Sequence, residues 1–86
     1  MIITKYHLEM KSYNYKILLR KEPEGGYTVT VPVLQGCVSF GETIEEAISN
    51  SKEAIELYIE TLKQYNEEIP NEEDVLEYNL SISTNA

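Results

Sequence analysis

Between Ile44 and Leu62, apolar or small residues recur at every third or fourth position: Ile44, Ala47, Ile48, Ser51, Ile55, Tyr58, Ile59 and Leu62. At about 100° per residue these positions share one face, the pattern of a helix laid on a core. The opposite face carries Glu46, Glu53 and Glu60, spaced by seven, as an almost wholly acidic ridge. Leu57 stands beside that ridge and off the apolar stripe. Lys52 and Lys63 lie nearer the stripe, placed to pair with Glu45, Glu56 and Glu60 on neighbouring turns. The helix start is signalled locally. The Thr43 hydroxyl can accept from a free first-turn amide, as an N-cap does. Glu46, three residues on, can reach back to the Thr43 amide and complete a capping box. Glu45 and Glu46 also sit at the positive end of the helix dipole, and Gly41 frees the backbone just ahead of the cap.

Elsewhere the period is two. Tyr15 to Lys21 reads as a strand with Tyr15, Ile17 and Leu19 on one face. Pro23, Gly25 and Gly26 supply turn chemistry, since proline pre-sets φ and glycine accepts φ > 0. Tyr27, Val29 and Val31 then alternate with Thr28 and Thr30 as the returning strand of a hairpin. Pro32 ends that strand, Val33 to Gly36 forms a connection, and Cys37 to Phe40 is a short apolar strand running into the helix. Past the helix, Asn66 and Pro70 mark the stop, and 71–74 forms an acidic loop. In Val75 to Ser83, Leu76, Tyr78, Leu80 and Ile82 alternate with Glu77, Asn79 and Ser81, which suits a strand with one face covered and one wet. Residues 2–10 alternate as well and predict an N-terminal strand, pairing within the chain or with another chain. The expected fold class is α+β: an antiparallel sheet of three to five strands with one long helix packed on one face. No linker or repeat divides the chain, so residues 1–86 are read as a single domain with its core in 15–83.

Composition narrows the function. Eighty-six residues make a small domain. A chain of that size buries only about 60–65% of its unfolded surface, so self-association would help it. The net charge of −8 is uneven: residues 1–40 carry five Lys/Arg against three Glu, and residues 41–86 two Lys against twelve Asp/Glu. An acidic half repels phosphate backbones and attracts basic proteins. Direct nucleic-acid binding by the helical half is therefore not expected. The basic residues Lys5, Lys11, Lys16, Arg20 and Lys21 are scattered along strands, where lysines commonly protect sheet edges. One cysteine, Cys37, allows no intrachain disulfide, which fits a reducing cytoplasm. No apolar run reaches the ~20 residues of a membrane span.

Catalytic constellations are missing from the pattern. His7 has no serine or cysteine partner implied by sequence, and reads as strand decoration. Cys37 falls in an apolar strand and reads as an inert core thiol. One histidine and one cysteine do not make a four-ligand zinc site. The carboxylates gather on the helix and in the acidic loop, whereas a two-metal nuclease needs several converging from strands and helix onto one point. The Gly25–Gly26 pair precedes a strand, without the helix a phosphate loop requires. A single helix followed by a strand also matches neither a helix-turn-helix nor a ribbon-helix-helix. The expectation is a binding protein with no enzymatic activity, no cofactor and no metal. Its partner surface is placed on Glu46, Glu53, Leu57 and Glu60.

The run from Tyr15 to Pro70 resembles the HicB-like antitoxin family. The shared pattern is Gly25, Gly26, Tyr27, Val29, Val31 and Pro32, then Leu34, Gly36 and Cys37. Gly41, Thr43, Glu45, Glu46 and Ala47 follow, then Asn50, Glu53, Ala54 and Ile55, with Ile69 and Pro70 trailing. Val33 and Gln35 depart from the acidic residue and proline common in that loop. The resemblance implies a partial RNase H-like fold of order β-β-β-α-β, to which residues 2–10 would add a strand. It also implies a role: binding a small basic mRNA-cleaving toxin of the HicA type and covering its active site. Many family members carry a C-terminal DNA-binding domain. This chain ends at Ala86, so repression of its own operon is not expected of it. The rival expectation is a stand-alone homodimeric or higher oligomeric interaction module without a toxin.

Overall fold

The computed structural model describes residues 11–85. Three strands, β1 (Leu18–Lys21), β2 (Tyr27–Thr30) and β3 (Val38–Gly41), precede one helix, α1 (Ile44–Gln64). The strands form an antiparallel sheet in the order β1-β2-β3, in which Leu19 pairs with Val29 and Val29 with Ser39. The α+β class and the long helix are as the sequence predicts, with a sheet of three strands among the described residues.

Each junction has a local cause. In the β1–β2 turn, Gly25 and Gly26 adopt φ of 111° and 83°, values that L side chains resist. A Cβ on Gly26 would also run into the Phe40 ring. Between β2 and β3 the chain folds tightly on itself: Val31 N donates to Cys37 O (3.1 Å), and Cys37 N to Leu34 O (2.9 Å). That loop turns Leu34 inward, where it is 1% exposed. At the helix start, Thr43 Oγ1 accepts from Glu46 N at 3.1 Å, as predicted. The return bond differs by one residue: Glu46 Oε1 accepts from the Glu42 amide (2.6 Å) rather than from Thr43. The helix closes in a Schellman motif, with Asn66 left-handed at φ 57°, Glu67 N donating to Leu62 O and Asn66 N to Lys63 O.

Val29, Val31, Leu34, Cys37 and Ala47 form the apolar interior, together with Ser51. The Ser51 hydroxyl is satisfied by donating to Ile48 O at 2.8 Å. The helix packs chiefly on β3 and next on β2. This off-centre seat corrects the predicted stripe. Ala47 and Ser51 are buried, but Ile44 and Ile48 are 44% and 43% exposed, because little of the sheet lies beneath their side of the helix. Val38 and Phe40 are also open rather than core, since alternation along β3 turns them away from the helix.

After α1 the chain returns beside the residues that lead into β1. Tyr15 Oη donates to Pro70 O (2.6 Å), Glu72 N to Asn14 O (2.9 Å), and Lys16 N to Glu72 Oε1 (2.7 Å). A turn closed by Val75 N on Glu72 O then leads the chain away. The strand predicted at Val75–Ser83 is not part of the sheet. Those residues carry no strand assignment, and Leu76, Tyr78, Leu80 and Ile82 are 91%, 85%, 75% and 72% exposed. Alternation reports a preference for pairing; a strand also needs a neighbouring edge, and the turn withholds one. The strand predicted over Tyr15–Lys21 shortens to β1 for a related reason. Tyr15 and Ile17 pack against the core, but the loop after the helix takes the backbone groups of their neighbours Asn14 and Lys16. The strand predicted at 2–10 lies outside the described residues.

Burial pushes the Cys37 thiol up, and burial, with Tyr13 and Glu72 nearby, pushes the Tyr15 phenol up. A raised acid keeps its proton longer in the folded chain than in the unfolded one, so stability falls once the unfolded group ionises. Stability should therefore hold steady to about pH 9 and decline above it. Urea midpoints measured from pH 8 to 11 check this, and Tyr15→Phe should lessen the decline above about pH 10. A midpoint that is flat or rising to pH 11 would contradict the assignment.

Candidate partner-binding site

The four residues placed on the partner surface by sequence are all solvent-exposed on α1. Their spacing decides what they can do together. Glu53, Leu57 and Glu60 lie within two turns, so Leu57 projects between two carboxylates. Glu46 is eleven residues from Leu57, roughly 16 Å along the axis, and its carboxylate is occupied in the cap. The ridge thus resolves into a compact Glu53–Leu57–Glu60 unit and a separate capping residue. Among the described residues the one ion pair is Lys52–Glu56, at 3.5 Å on the neighbouring flank. Glu53 and Glu60 take no part in it.

Leu57 is 69% exposed, unusual for a leucine on a packed helix. It forms the lip of an apolar groove of about 480 Å³ between the second half of α1 and the start of β3. Gly36 and Cys37 make one wall, with Val38 at its rim, and Ala54, Leu57, Tyr58 and Leu62 make the other. Tyr58 Oη donates to Gln35 O at 2.8 Å and so ties the helix to the β2–β3 loop at the end of this groove. Asn50 Nδ2 donates to Phe40 O (2.8 Å) and fixes the helix to the last strand. An apolar trough beside two free carboxylates can take an apolar side chain of a partner and, alongside it, basic groups.

Val38, with the outer sheet face, escaped the sequence reading. Leu18, Val38 and Phe40 are each about half exposed and point away from α1. The usable signal was the Ser39 between Val38 and Phe40, which marks a strand with two different faces. Among the described residues, no group of three or more His, Cys, Asp or Glu side chains is placed to hold a metal ion. Within the same residues, no helix is long and apolar enough to cross a membrane.

Known proteins share this architecture. The N-terminal domain of the antitoxin HicB from Burkholderia pseudomallei superimposes with a TM-score of 0.57 at 38% identity, covering 77% of this chain and 69% of that one. A UPF0150 protein of Synechocystis sp. is 54% identical over 61 residues, 71% of this chain and 77% of its own. Another, from Thermoplasma acidophilum, is 48% identical over 58 residues, 67% of this chain and 84% of its own. The family profile described as "HicB_like antitoxin of bacterial toxin-antitoxin system" matches residues 15–83. With a match over most of its length, the chain belongs to the HicB-like antitoxin family.

Proposed function

We propose that this chain is an antitoxin that binds a small, basic, mRNA-cleaving toxin of the HicA type and neutralises it by covering its active site. One observation carries the reading: in a member of an antitoxin family, Glu53 and Glu60 flank an exposed leucine at the lip of an apolar groove. A ribonuclease that grips a phosphate backbone presents cationic groups. Free carboxylates steer such a surface in and compete for it, while Leu57 supplies the desolvated contact that holds the complex. Inhibition is steric and electrostatic. The chain acts in the cytoplasm as a binding protein, without catalysis, cofactor or direct contact with nucleic acid.

The test starts from the reading frame beside this gene: if it encodes a small basic protein, that protein is co-expressed with this chain, and if it encodes none the reading loses its partner. A stable complex on purification, together with restored growth of cells expressing that protein, is the expected result. No complex and no rescue would overturn the reading. A second reading, a self-associating module without a toxin, draws support from the exposed apolar residues of 75–83. It predicts a homo-oligomer that rescues nothing.

A further inference from the structure

Among the described residues, two unfilled surfaces match. The first is the outer edge of β1. That strand is terminal in the sheet, and because α1 sits over β2 and β3, a groove of about 490 Å³ remains between the helix and the approach to β1. Tyr15, Ile17, Ile48, Ile55 and Ile59 give the groove an apolar lining. Lys16, Arg20 and Lys21 make the adjoining edge basic. The second surface is the segment 75–83. It presents an apolar side chain at every second position and is preceded by Glu72, Glu73 and Asp74, with Glu77 inside it. An open strand edge beside an apolar trough is what an alternating strand needs: its backbone pairs with the edge while alternate side chains fill the trough.

We propose that residues 75–83 of one copy add as a fourth strand to the β1 edge of a second copy, with Leu76, Tyr78, Leu80 and Ile82 entering its groove. Two observations favour a second copy over the chain's own edge. The Glu72–Val75 turn directs the segment away from its own sheet. The radius of gyration, 17.4 Å, exceeds the roughly 12 Å of a compact chain this long. Charge supports the pairing itself in either case, with an acidic strand meeting a basic edge. The exchange is also self-complementary, because each copy offers both a strand and an edge. Two copies therefore close on a two-fold axis and leave neither surface open. The groove used is on the opposite flank of α1 from Leu57, so strand exchange and toxin binding are separable.

Two experiments on the full chain decide the matter. Sedimentation should show a dimer for the native protein. In the Leu76→Glu/Leu80→Glu variant the dissociation constant should rise about 100-fold or more, as two apolar contacts are lost. Both side chains are exposed in the single chain, so its circular dichroism should not change. The second experiment mixes two chains in a Cys37→Ala background, one with Leu19→Cys and one with Tyr78→Cys, and adds a short bis-maleimide. A covalent heterodimer is expected. A native protein that stays monomeric at high concentration, a dimer indifferent to the glutamates, or a crosslink found only within a chain carrying both cysteines would each overturn the proposal.

Discussion

Replacing Gly41 by alanine is expected to remove more than half of the protein's stability. Gly41 ends β3, is buried, and does not have the positive φ seen at Gly25, Gly26 and Gly36. Its requirement is therefore one of space alone. A Cβ there would fall against the Ala47 amide nitrogen, 2.5 Å from Ala47 Cα and 2.7 Å from the Glu46 carbonyl carbon. All three are backbone atoms of the first helical turn, so no rotamer change relieves the clash. Either the helix start lifts off the sheet or the last pairing of β3 is lost. The first outcome exposes Ala47, which is now fully covered, and loosens Asn50 from Phe40 O. Ordinary overpacking costs about 1–3 kcal/mol. With a backbone wall the cost should be about 3 kcal/mol or more, against a total stability on the order of 5 kcal/mol for so small a domain. Gly36→Ala is the control. Its Cβ would meet nothing within 4 Å, although its φ of +82° is strained for alanine, so about 1 kcal/mol is expected. Urea unfolding of the two variants measures the difference. Equal midpoints would mean that close seating of the helix start on β3 is not what holds the fold together.

The features legible in the sequence were those decided by neighbours along the chain. Thr43 with Glu46 placed the helix start, Gly25 and Gly26 placed the hairpin turn, and Asn66 placed the helix stop. Each expresses a local rule about a free amide or a positive φ. Features decided by what lies across space were harder to read. The stripe that included Ile44 and Ile48 showed which side of the helix faces inward. It could not show that Ala47 and Ser51, being small, would draw the helix onto β3 and leave those isoleucines at the margin. Alternation at Val75–Ser83 likewise shows that the segment is built to pair, without naming the edge. The candidate site divides in the same way. Glu53, Leu57 and Glu60 follow from helical spacing alone. The groove beside Leu57 needed the tertiary contact between the Gln35–Val38 run and Tyr58, and that contact has no signature in either segment.

That groove makes Leu57 the place where toxin binding should be most sensitive. Leu57→Asp removes the apolar anchor and puts a charge where the partner must be desolvated. An anchor of this kind typically costs about 2–4 kcal/mol when lost, so the complex should weaken about 30- to 1,000-fold, mainly through faster dissociation. The Glu53→Lys/Glu60→Lys variant should act differently. Its two reversed charges lie at the rim, so they should slow association and flatten its dependence on salt. Neither change threatens the fold, because all three side chains are exposed and lysine is a good helix former. Glu46→Gln is the matched control: it deletes a ridge charge while keeping an acceptor for the Glu42 amide, and should leave affinity within about threefold. Association and dissociation rates measured at two ionic strengths, with growth rescue alongside, separate the two effects. If Leu57→Asp and the charge reversal both bind like the native chain, the toxin docks elsewhere. The outer sheet face of Leu18, Val38 and Phe40 would then be the surface to vary, since its apolar side chains are half exposed and lie on the side of the sheet away from α1.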